Sequence, residues 1–150
     1  MRRRSRSPPR RGSLVLLDTN AAFLPFREGL PLALEVDRLL PGAELAVPAA
    51  VLSELDHLAD RGAAHARAAR AFVRPLRAIP SAGRGDLAVV EAAVRLRATV
   101  VTADRVLVER LRRSGVAVMV PRGRARLELK LPLPPVEPVH RPRRGGRLKA

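Results

Sequence analysis

Short apolar runs that end in polar residues mark the predicted strands of this chain. A continuous apolar run of this kind is typical of a strand that is buried on both faces of a sheet. The predicted strands are residues 14–18, 44–47, 76–79, 98–102 and 116–120, with a further edge strand within residues 122–131.

Between these strands, apolar residues recur at every third or fourth position, a spacing that predicts amphipathic helices. Pro31 and Pro48 suit the first turn of a helix, and Gly115 suits the residue that follows one. The predicted helical segments are a short turn at 20–27, residues 31–40, a helix that starts at 48 and includes 51–58, and residues 61–76, 86–96 and 104–113. This alternation of strands and helices predicts a three-layer α/β/α fold with a mainly parallel central sheet.

Two segments of biased composition flank the alternating region. Residues 1–13 are rich in Arg, and residues 132–150 contain five prolines and a basic end. Neither segment has enough apolar residues to build a core. We therefore expect one folded domain at residues 14–131, with a disordered tail before it and a flexible tail after it.

The formal net charge of +15 is concentrated in these tails. Residues 1–11 contain six Arg, residues 140–150 contain four Arg and one Lys, and neither stretch contains an acid. Residues 12–139 hold 18 basic side chains against 14 acids, a net charge of only +4. Basic tails favour an acidic polymer as the partner, most often nucleic acid. The alternative is that they serve solubility or reflect an Arg-rich proteome.

The composition also excludes several kinds of site. Cysteine is absent, which excludes disulfides and thiolate zinc sites. Aromatic residues make up 2% of the chain, which disfavours RNA binding by stacking of bases on aromatic side chains. No segment approaches the roughly 20 apolar residues of a membrane span, and the N-terminus lacks the apolar part of a signal peptide. We expect a cytoplasmic protein with no membrane partner.

Four acids stand at comparable places in the predicted fold. Asp18 follows the first strand, and Asp104 follows the strand that ends at Thr102. Glu54 lies in the helix after the second strand, and Asp86 begins the helix before residues 98–102. Because parallel strands end at the same edge of a sheet, where ligands bind in such folds, these carboxylates are predicted to converge there.

Converging carboxylates repel one another unless a cation neutralises them. Oxygen ligands without Cys suit Mg²⁺ or Mn²⁺, and such an ion activates water for attack on a phosphodiester. Thr19, Asn20 and Thr102 are the nearby polar side chains available to orient the carboxylates or the water, and Asn20 and Thr102 are expected to position the carboxylates. The alternative is that each acid only caps or solvates its helix, since Asp is a preferred N-cap residue.

Four segments together resemble the nucleases of the PIN-domain family. They are Leu16–Asn20 with an Asp-x-Asn ending, Val47–Leu55 with a Val-Pro start and a Val-Leu-x-Glu-Leu ending, Gly85-Asp86, and Val100–Asp104 with the pattern Val-x-Thr-x-Asp. The resemblance covers about residues 14–129, and within the family the chain is most similar to archaeal PIN proteins like those that process ribosomal RNA precursors.

This resemblance implies a parallel sheet between helices and metal-dependent endonucleolytic cleavage of RNA that leaves a 5′-phosphate and a 3′-hydroxyl. It implies that Asp18, Glu54, Asp86 and Asp104 are catalytic and bind one or two Mg²⁺ or Mn²⁺ ions. PIN-like proteins often dimerise, so a homodimer is also expected. The chain departs from the family where a second Asp often follows the third acid, because Leu87 stands there.

The expected function is therefore an endoribonuclease of rRNA processing or ribosome assembly, with rRNA or tRNA as the partner. Arg84 and Arg105 stand beside the acids and are expected to contact phosphates, while the basic tails hold RNA without reading its sequence. The alternative for each Arg is a solvated side chain on an Arg-rich surface. Two other functions stay open: a non-catalytic RNA-binding factor with the same fold, and the toxin of a toxin–antitoxin pair.

Overall fold

The computed structural model describes residues 13–135 together with Pro8. Most of each predicted tail therefore lies outside the described residues, and so does the prediction that these tails are disordered. Helices and strands alternate along residues 13–135 in the order β1 (Leu14–Leu17), α1 (Thr19–Arg27), α2 (Leu32–Leu39), β2 (Glu44–Pro48), α3 (Ala49–Asp60), α4 (Ala66–Val73), β3 (Arg77–Ile79), α5 (Gly85–Leu96), β4 (Thr99–Val101), α6 (Arg105–Arg113), β5 (Val118–Arg122) and β6 (Arg126–Lys130).

The strands form one sheet in the order β3-β2-β1-β4-β5-β6. The strands β3, β2, β1, β4 and β5 are parallel to their neighbours, and β6 pairs with β5 in the antiparallel direction. The predicted α/β fold with a mainly parallel sheet is confirmed. The chain builds the sheet outward from β1 in one direction and from β4 in the other, so the order reverses between these two strands. Open α/β sheets bind ligands at such a reversal, outside the carboxyl ends of the strands.

The core lies on both faces of β1 and β4, as expected for central strands of a parallel sheet. Leu16 and Leu17 of β1 and Val100 and Val101 of β4 have no exposed surface. Helices α1 and α5 present alanines to this sheet, and the small side chains let the helix backbones approach it closely. The fully buried alanines of these two helices are Ala21, Ala22, Ala88, Ala92 and Ala93. None of the helices in residues 13–135 combines enough length and apolar character to span a lipid bilayer.

Three predicted boundaries were wrong. The helix predicted over 61–76 is reduced to α4, because Gly62 and His65 take positive φ angles of 75° and 65° that a helix cannot continue. The turn predicted at 20–27 is a full helix that contains Pro25, whose lost hydrogen bond is offset by burial of the preceding apolar turn. The last parallel strand, predicted at 116–120, lies two residues later.

A partly buried ion pair fixes the β5–β6 hairpin to α2. Glu35, only 8% exposed, accepts hydrogen bonds from the Arg38 guanidinium at 2.9 Å and from the Leu127 backbone N–H at 3.0 Å. Arg38 also donates to the Leu127 carbonyl at 2.8 Å. The hydrogen bonds from Arg38 and Leu127 lower the pKa of Glu35 to about 2. The hairpin is therefore held close to its turn by charged hydrogen bonds as well as by its ladder.

Candidate active site

Asp18 occupies the point where β1 ends and α1 begins. Its backbone ends the strand, with the Asp18 N–H bonded to the Val101 carbonyl at 3.4 Å, and its side chain caps α1 by accepting from the Ala21 N–H at 2.7 Å. The two interpretations of this residue, helix cap and site carboxylate, are thus compatible. The cap uses only Oδ1 of the Asp18 carboxylate, and this hydrogen bond fixes the direction in which Oδ2 points.

Thr102 connects two of the acids. Its side chain is fully buried, donates a hydrogen bond to Asp18 Oδ2, and accepts one from the Asp104 N–H at 3.1 Å. Burial raises the pKa of Asp18 to about 6; the bonds from Thr102 and Ala21 oppose that increase, and the charges of Asp86 and Asp104 add to it. Asp18 is therefore a buried carboxylate that forms no ion pair with any cation of residues 13–135.

Asp104 caps α6 in the same way that Asp18 caps α1. Its Oδ1 accepts from the N–H groups of Val106 at 2.9 Å and Leu107 at 3.2 Å. No hydrogen bond from the described residues occupies Oδ2, which is left for another partner. The predicted cap and the predicted site residue again coincide, because an Asp N-cap needs only one of its two oxygens.

Glu54 reaches the site from α3. The helix starts after Pro48, which has no side-chain acceptor, and the Ser81 hydroxyl accepts from the Ala50 N–H at 3.1 Å in its place. One turn into the helix, Glu54 Oε2 accepts from the Thr19 hydroxyl at 2.7 Å. The side chain that orients Glu54 is thus Thr19, and not the predicted Asn20.

Asp86 stands in the first turn of α5 with no hydrogen bond from the described part of the chain. Gly83 and Gly85, with φ angles of +82° and +59°, turn the preceding loop into the helix. Partial burial raises the pKa of the Asp86 carboxyl; Asp104 and Glu54 also raise it, while Arg110 lowers it. These mutual effects indicate that Asp86, Asp104 and Glu54 lie within electrostatic range of one another.

The four predicted acids line one open cleft of about 300 Å³. Its floor is the reversal point of the sheet, and its walls are α1, α3 and α5. None of the four carboxylates forms an ion pair with any Arg, Lys or His of residues 13–135. Other acids of the domain, such as Glu35, Glu91 and Glu109, do form such pairs.

This donor set suits a hard divalent cation. Oxygen ligands are what Mg²⁺ and Mn²⁺ prefer, and Asp86, Asp104 Oδ2 and Glu54 Oε1 have lone pairs that no donor in the described chain uses. Within residues 13–135, however, no three acidic or histidine side chains are close enough to hold an ion as they stand. The carboxylates share a cleft without forming a closed coordination shell.

The remaining predicted site residues take different positions. Asn20 lines the cleft but its side chain is exposed and bonds to none of the four acids. Arg84 precedes α5 as its N-cap, and Arg105 is the first residue of α6. Both side chains are exposed and neither lines the cleft. Their roles as RNA contacts stay predictions.

Sequence reasoning missed a cation that does line the cleft. Arg27, in the last turn of α1, lies with its guanidinium 4.0 Å from the centre of the Phe23 ring. The signal was present in the sequence, because residues four apart on a helix are neighbours. It was overlooked because residues 20–27 were interpreted as a short turn.

A basic hairpin also rises at this edge of the sheet. Val101, the last residue of β4, is paired with Met119, so β5 continues for three further residues to Arg122. At about 3.3 Å per residue the hairpin extends roughly 10 Å past the end of β4. Arg122 and Arg126 are cross-strand partners, and Arg124 lies in the turn between them. Arg122 pairs with Glu128 at 3.7 Å, while no ion pair within residues 13–135 offsets the charges of Arg124 and Arg126, so the turn of the hairpin is positively charged.

Residues 15–124 match the sequence profile of a family described as PIN like domain. The chain belongs to the PIN-like domain family. The predicted family membership is confirmed, and the matched range includes all four acids. No curated protein matches the chain.

Two solved structures resemble this PIN-like domain in fold. One is the PIN domain endonuclease Utp24, with a TM-score of 0.70 and 18% sequence identity, over 83% of this chain and 96% of that chain. Another is a domain of a functionally unknown protein from Methanocaldococcus jannaschii DSM 2661, with a TM-score of 0.55 and 17% identity, over 81% of this chain and 99% of that chain. At these identities the similarity concerns the fold.

Proposed function

We propose that this protein is a metal-dependent endoribonuclease. The observation that carries the proposal is the convergence of Asp18, Glu54, Asp86 and Asp104 in one cleft without a neutralising partner among the described residues. Uncompensated carboxylates in a cleft destabilise a fold, so a cation that neutralises them accounts for their arrangement. Membership of a family whose members are generally nucleases supports the same activity.

The four acids would hold one or two Mg²⁺ or Mn²⁺ ions. A divalent ion in such a site lowers the pKa of a bound water and neutralises charge on the phosphodiester. The chain fixes three of the carboxylates: Ala21 and Thr102 hold Asp18, two N–H groups of α6 hold Asp104, and Thr19 holds Glu54. Asp86 has no such restraint and is free to adjust to the ion. Three carboxylates are thus held in place before an ion binds, and the fourth can move to complete its coordination.

Nucleic acid is the class of substrate that the surrounding charges favour. The cleft itself is acidic, so a polyanion needs cations beside it, and Arg27 and the hairpin arginines Arg122, Arg124 and Arg126 supply them at the same edge. The similarity in fold to a PIN domain endonuclease is consistent with internal cleavage. We extend the proposal to structured RNA such as rRNA or tRNA, in rRNA processing or ribosome assembly, with the basic tails as further contacts.

Cleavage of an end-labelled structured RNA by the full-length protein tests this function. We expect internal cuts with Mn²⁺ or Mg²⁺, products with a 5′-phosphate, and no cuts in EDTA. Asp86→Asn, purified in parallel, should lack the activity. A contaminating nuclease would still cut RNA in that preparation, so the variant also serves as the control for contamination. Equal cleavage by both proteins, or cleavage in EDTA, would contradict the proposal.

A second function has one observation in its favour. Because no three acids in residues 13–135 form a ready-made ion site, a PIN-like factor that binds RNA without cutting it fits the same structure. RNA binding without cleavage under Mg²⁺, Mn²⁺ and Co²⁺, and unchanged in Asp86→Asn, would favour this function over the nuclease.

A further inference from the structure

Arg27 is a cation that the fold places next to the acidic cleft and leaves unpaired. It forms no ion pair with any acid of the described chain, although Glu28 follows it in sequence and Asp18 and Glu54 line the same cleft. Instead its guanidinium carbon lies over the Phe23 ring, 4.0 Å from the ring centre. Phe23 is only 3% exposed and belongs to the core, so the ring is a rigid base for the guanidinium.

The cleft continues beyond the acids into a second depression of about 310 Å³. Asn20, Phe23 and Arg27 line both parts and join them. The second part adds Leu24, Glu28 and Ala103, so it contains one acid where the first contains four. Ala103 lies between Thr102 and Asp104, which places this depression directly beside the carboxylate cluster.

An RNA strand that crosses the cluster needs its neighbouring phosphate held by a positive group. Stacking on Phe23 restricts the Arg27 side chain and leaves the N–H groups at its edge free to donate. A guanidinium presented in this way matches the two oxygens of a phosphate, and these charged hydrogen bonds are among the strongest in proteins. A depression of this size lies at the lower end of small-molecule sites and accommodates one nucleoside.

We propose that Arg27 and the depression beside it form a subsite for the nucleotide next to the one that is cut. Arg27 binds the phosphate of that nucleotide, Phe23 holds the guanidinium in place, and the nucleoside lies against Asn20, Leu24 and Ala103. The inference rests on the proposed function for the identity of its ligand. It assigns Arg27 to binding and register of the strand, and not to the chemical step.

Binding of a short fluorescein-labelled single-stranded RNA, measured by anisotropy at several salt concentrations, tests the subsite. Ca²⁺ replaces Mn²⁺ in this experiment to neutralise the acids while it slows cleavage, because it accepts oxygen ligands but in a looser geometry. We expect Arg27→Gln to raise the Kd roughly tenfold. The slope of log affinity against log salt should fall by about 0.7, the value for one lost phosphate contact on a single strand.

Two further variants separate the role of Arg27 from a general loss of charge. Arg27→Lys keeps the charge but loses the planar fork, so the salt slope should stay as in the wild type while the Kd rises by a smaller factor. Arg113→Gln removes an exposed Arg at the far end of α6, which pairs with Glu109, and should leave both quantities unchanged. Thermal unfolding of all variants checks that α1 is intact, and Arg27→Lys keeps the test valid if Arg27→Gln fails to fold.

The possible results distinguish the subsite from the nuclease function. If Arg27→Gln binds RNA with the Kd and salt slope of Arg113→Gln, the subsite is wrong, whatever the wild type cleaves. If the wild type cuts no RNA with Mn²⁺ but Arg27→Gln still lowers the slope, Arg27 binds an RNA phosphate beside the acids as proposed, and it is the nuclease function that fails. In an active enzyme, Arg27→Gln should raise the KM far more than it lowers the kcat.

Discussion

Replacing Asp104 with Asn is expected to lower the rate of RNA cleavage by about a thousandfold and to leave helix α6 intact. The rate falls because the amide has no charge to hold a divalent ion, and such an ion supplies several kcal/mol of stabilisation to the transition state. The helix persists because the Asn carbonyl oxygen can still accept from the N–H groups of Val106 and Leu107. Asn and Asp are similarly good N-cap residues.

The comparison variant is Asp104→Ala, which loses the charge and the cap together. It should be as inactive as Asp104→Asn but less stable by about 1 kcal/mol, the usual cost of a lost cap. Steady-state cleavage rates and thermal unfolding of both variants separate the two roles of this residue. A wild-type cleavage rate in a folded Asp104→Asn would show that its charge takes no part in the reaction.

The second large effect is expected on stability in the absence of metal. The pKa of Asp18 is raised from 3.8 to about 6 in the folded protein, chiefly by burial. The folded state therefore binds the proton more tightly than the unfolded state, and the free energy of unfolding falls as the pH rises from about 4 to about 6. The whole shift corresponds to about 3 kcal/mol, but the unfolded carboxyl is already partly ionised at pH 4, so the loss between pH 4 and neutral pH is about 2 kcal/mol.

Denaturant unfolding in EDTA, from pH 4 to pH 8, measures this loss. Asp18→Asn has no charge to lose and should show a smaller decline with pH than the wild type by about that amount. Asp60→Asn, at an exposed position outside the cleft, should follow the wild type. Parallel pH dependences in the wild type and Asp18→Asn would mean that Asp18 is not the buried, uncompensated carboxylate described here.

The sequence predicted the sheet and the position of its acids for a simple physical reason. The strand-like runs at 14–17 and 98–101 are largely buried, so little besides a strand accommodates them. The first leads directly into the helix cap Asp18, and the second reaches the helix cap Asp104 after two further residues. Asp18 and Asp104 are both helix caps, and caps are among the strongest local signals in a sequence. Four acids at equivalent edges of the predicted sheet then converge by topology alone.

What the sequence could not supply is the direction of individual side chains. Asn20 was predicted to orient the acids, but the first turn of α1 points Thr19 at Glu54 and leaves Asn20 exposed. This choice depends on the rotational phase of α1 against α3, which is set by tertiary packing. The pairing of Arg27 with Phe23, in contrast, follows from helical spacing and was missed only because the helix was underestimated.

Contacts between distant parts of the chain were equally beyond a local pattern. Glu35 bonds to Leu127, 92 residues later, and this contact holds the arginine-bearing hairpin in place. The end of the domain shows the same effect: Arg112 donates to the Leu131 carbonyl at 2.8 Å and accepts from the Leu133 N–H at 3.0 Å. Backbone order thus extends into the first residues of the segment predicted to be a mobile tail from 132.

The central claim is that four carboxylates from distant parts of the chain form one metal centre, and calorimetric titration of the EDTA-treated full-length protein with Mn²⁺ tests it most directly. We predict binding to the wild type at neutral pH, affinity at least tenfold weaker in Asp86→Asn, and wild-type affinity in Glu109→Gln, which changes an exposed acid of α6 outside the cleft. Asp86 is the informative position because no other residue of the described chain bonds to it, so its loss affects the ion and little of the fold. Equal Mn²⁺ affinity in all three proteins, or no binding to the wild type, would contradict the claim.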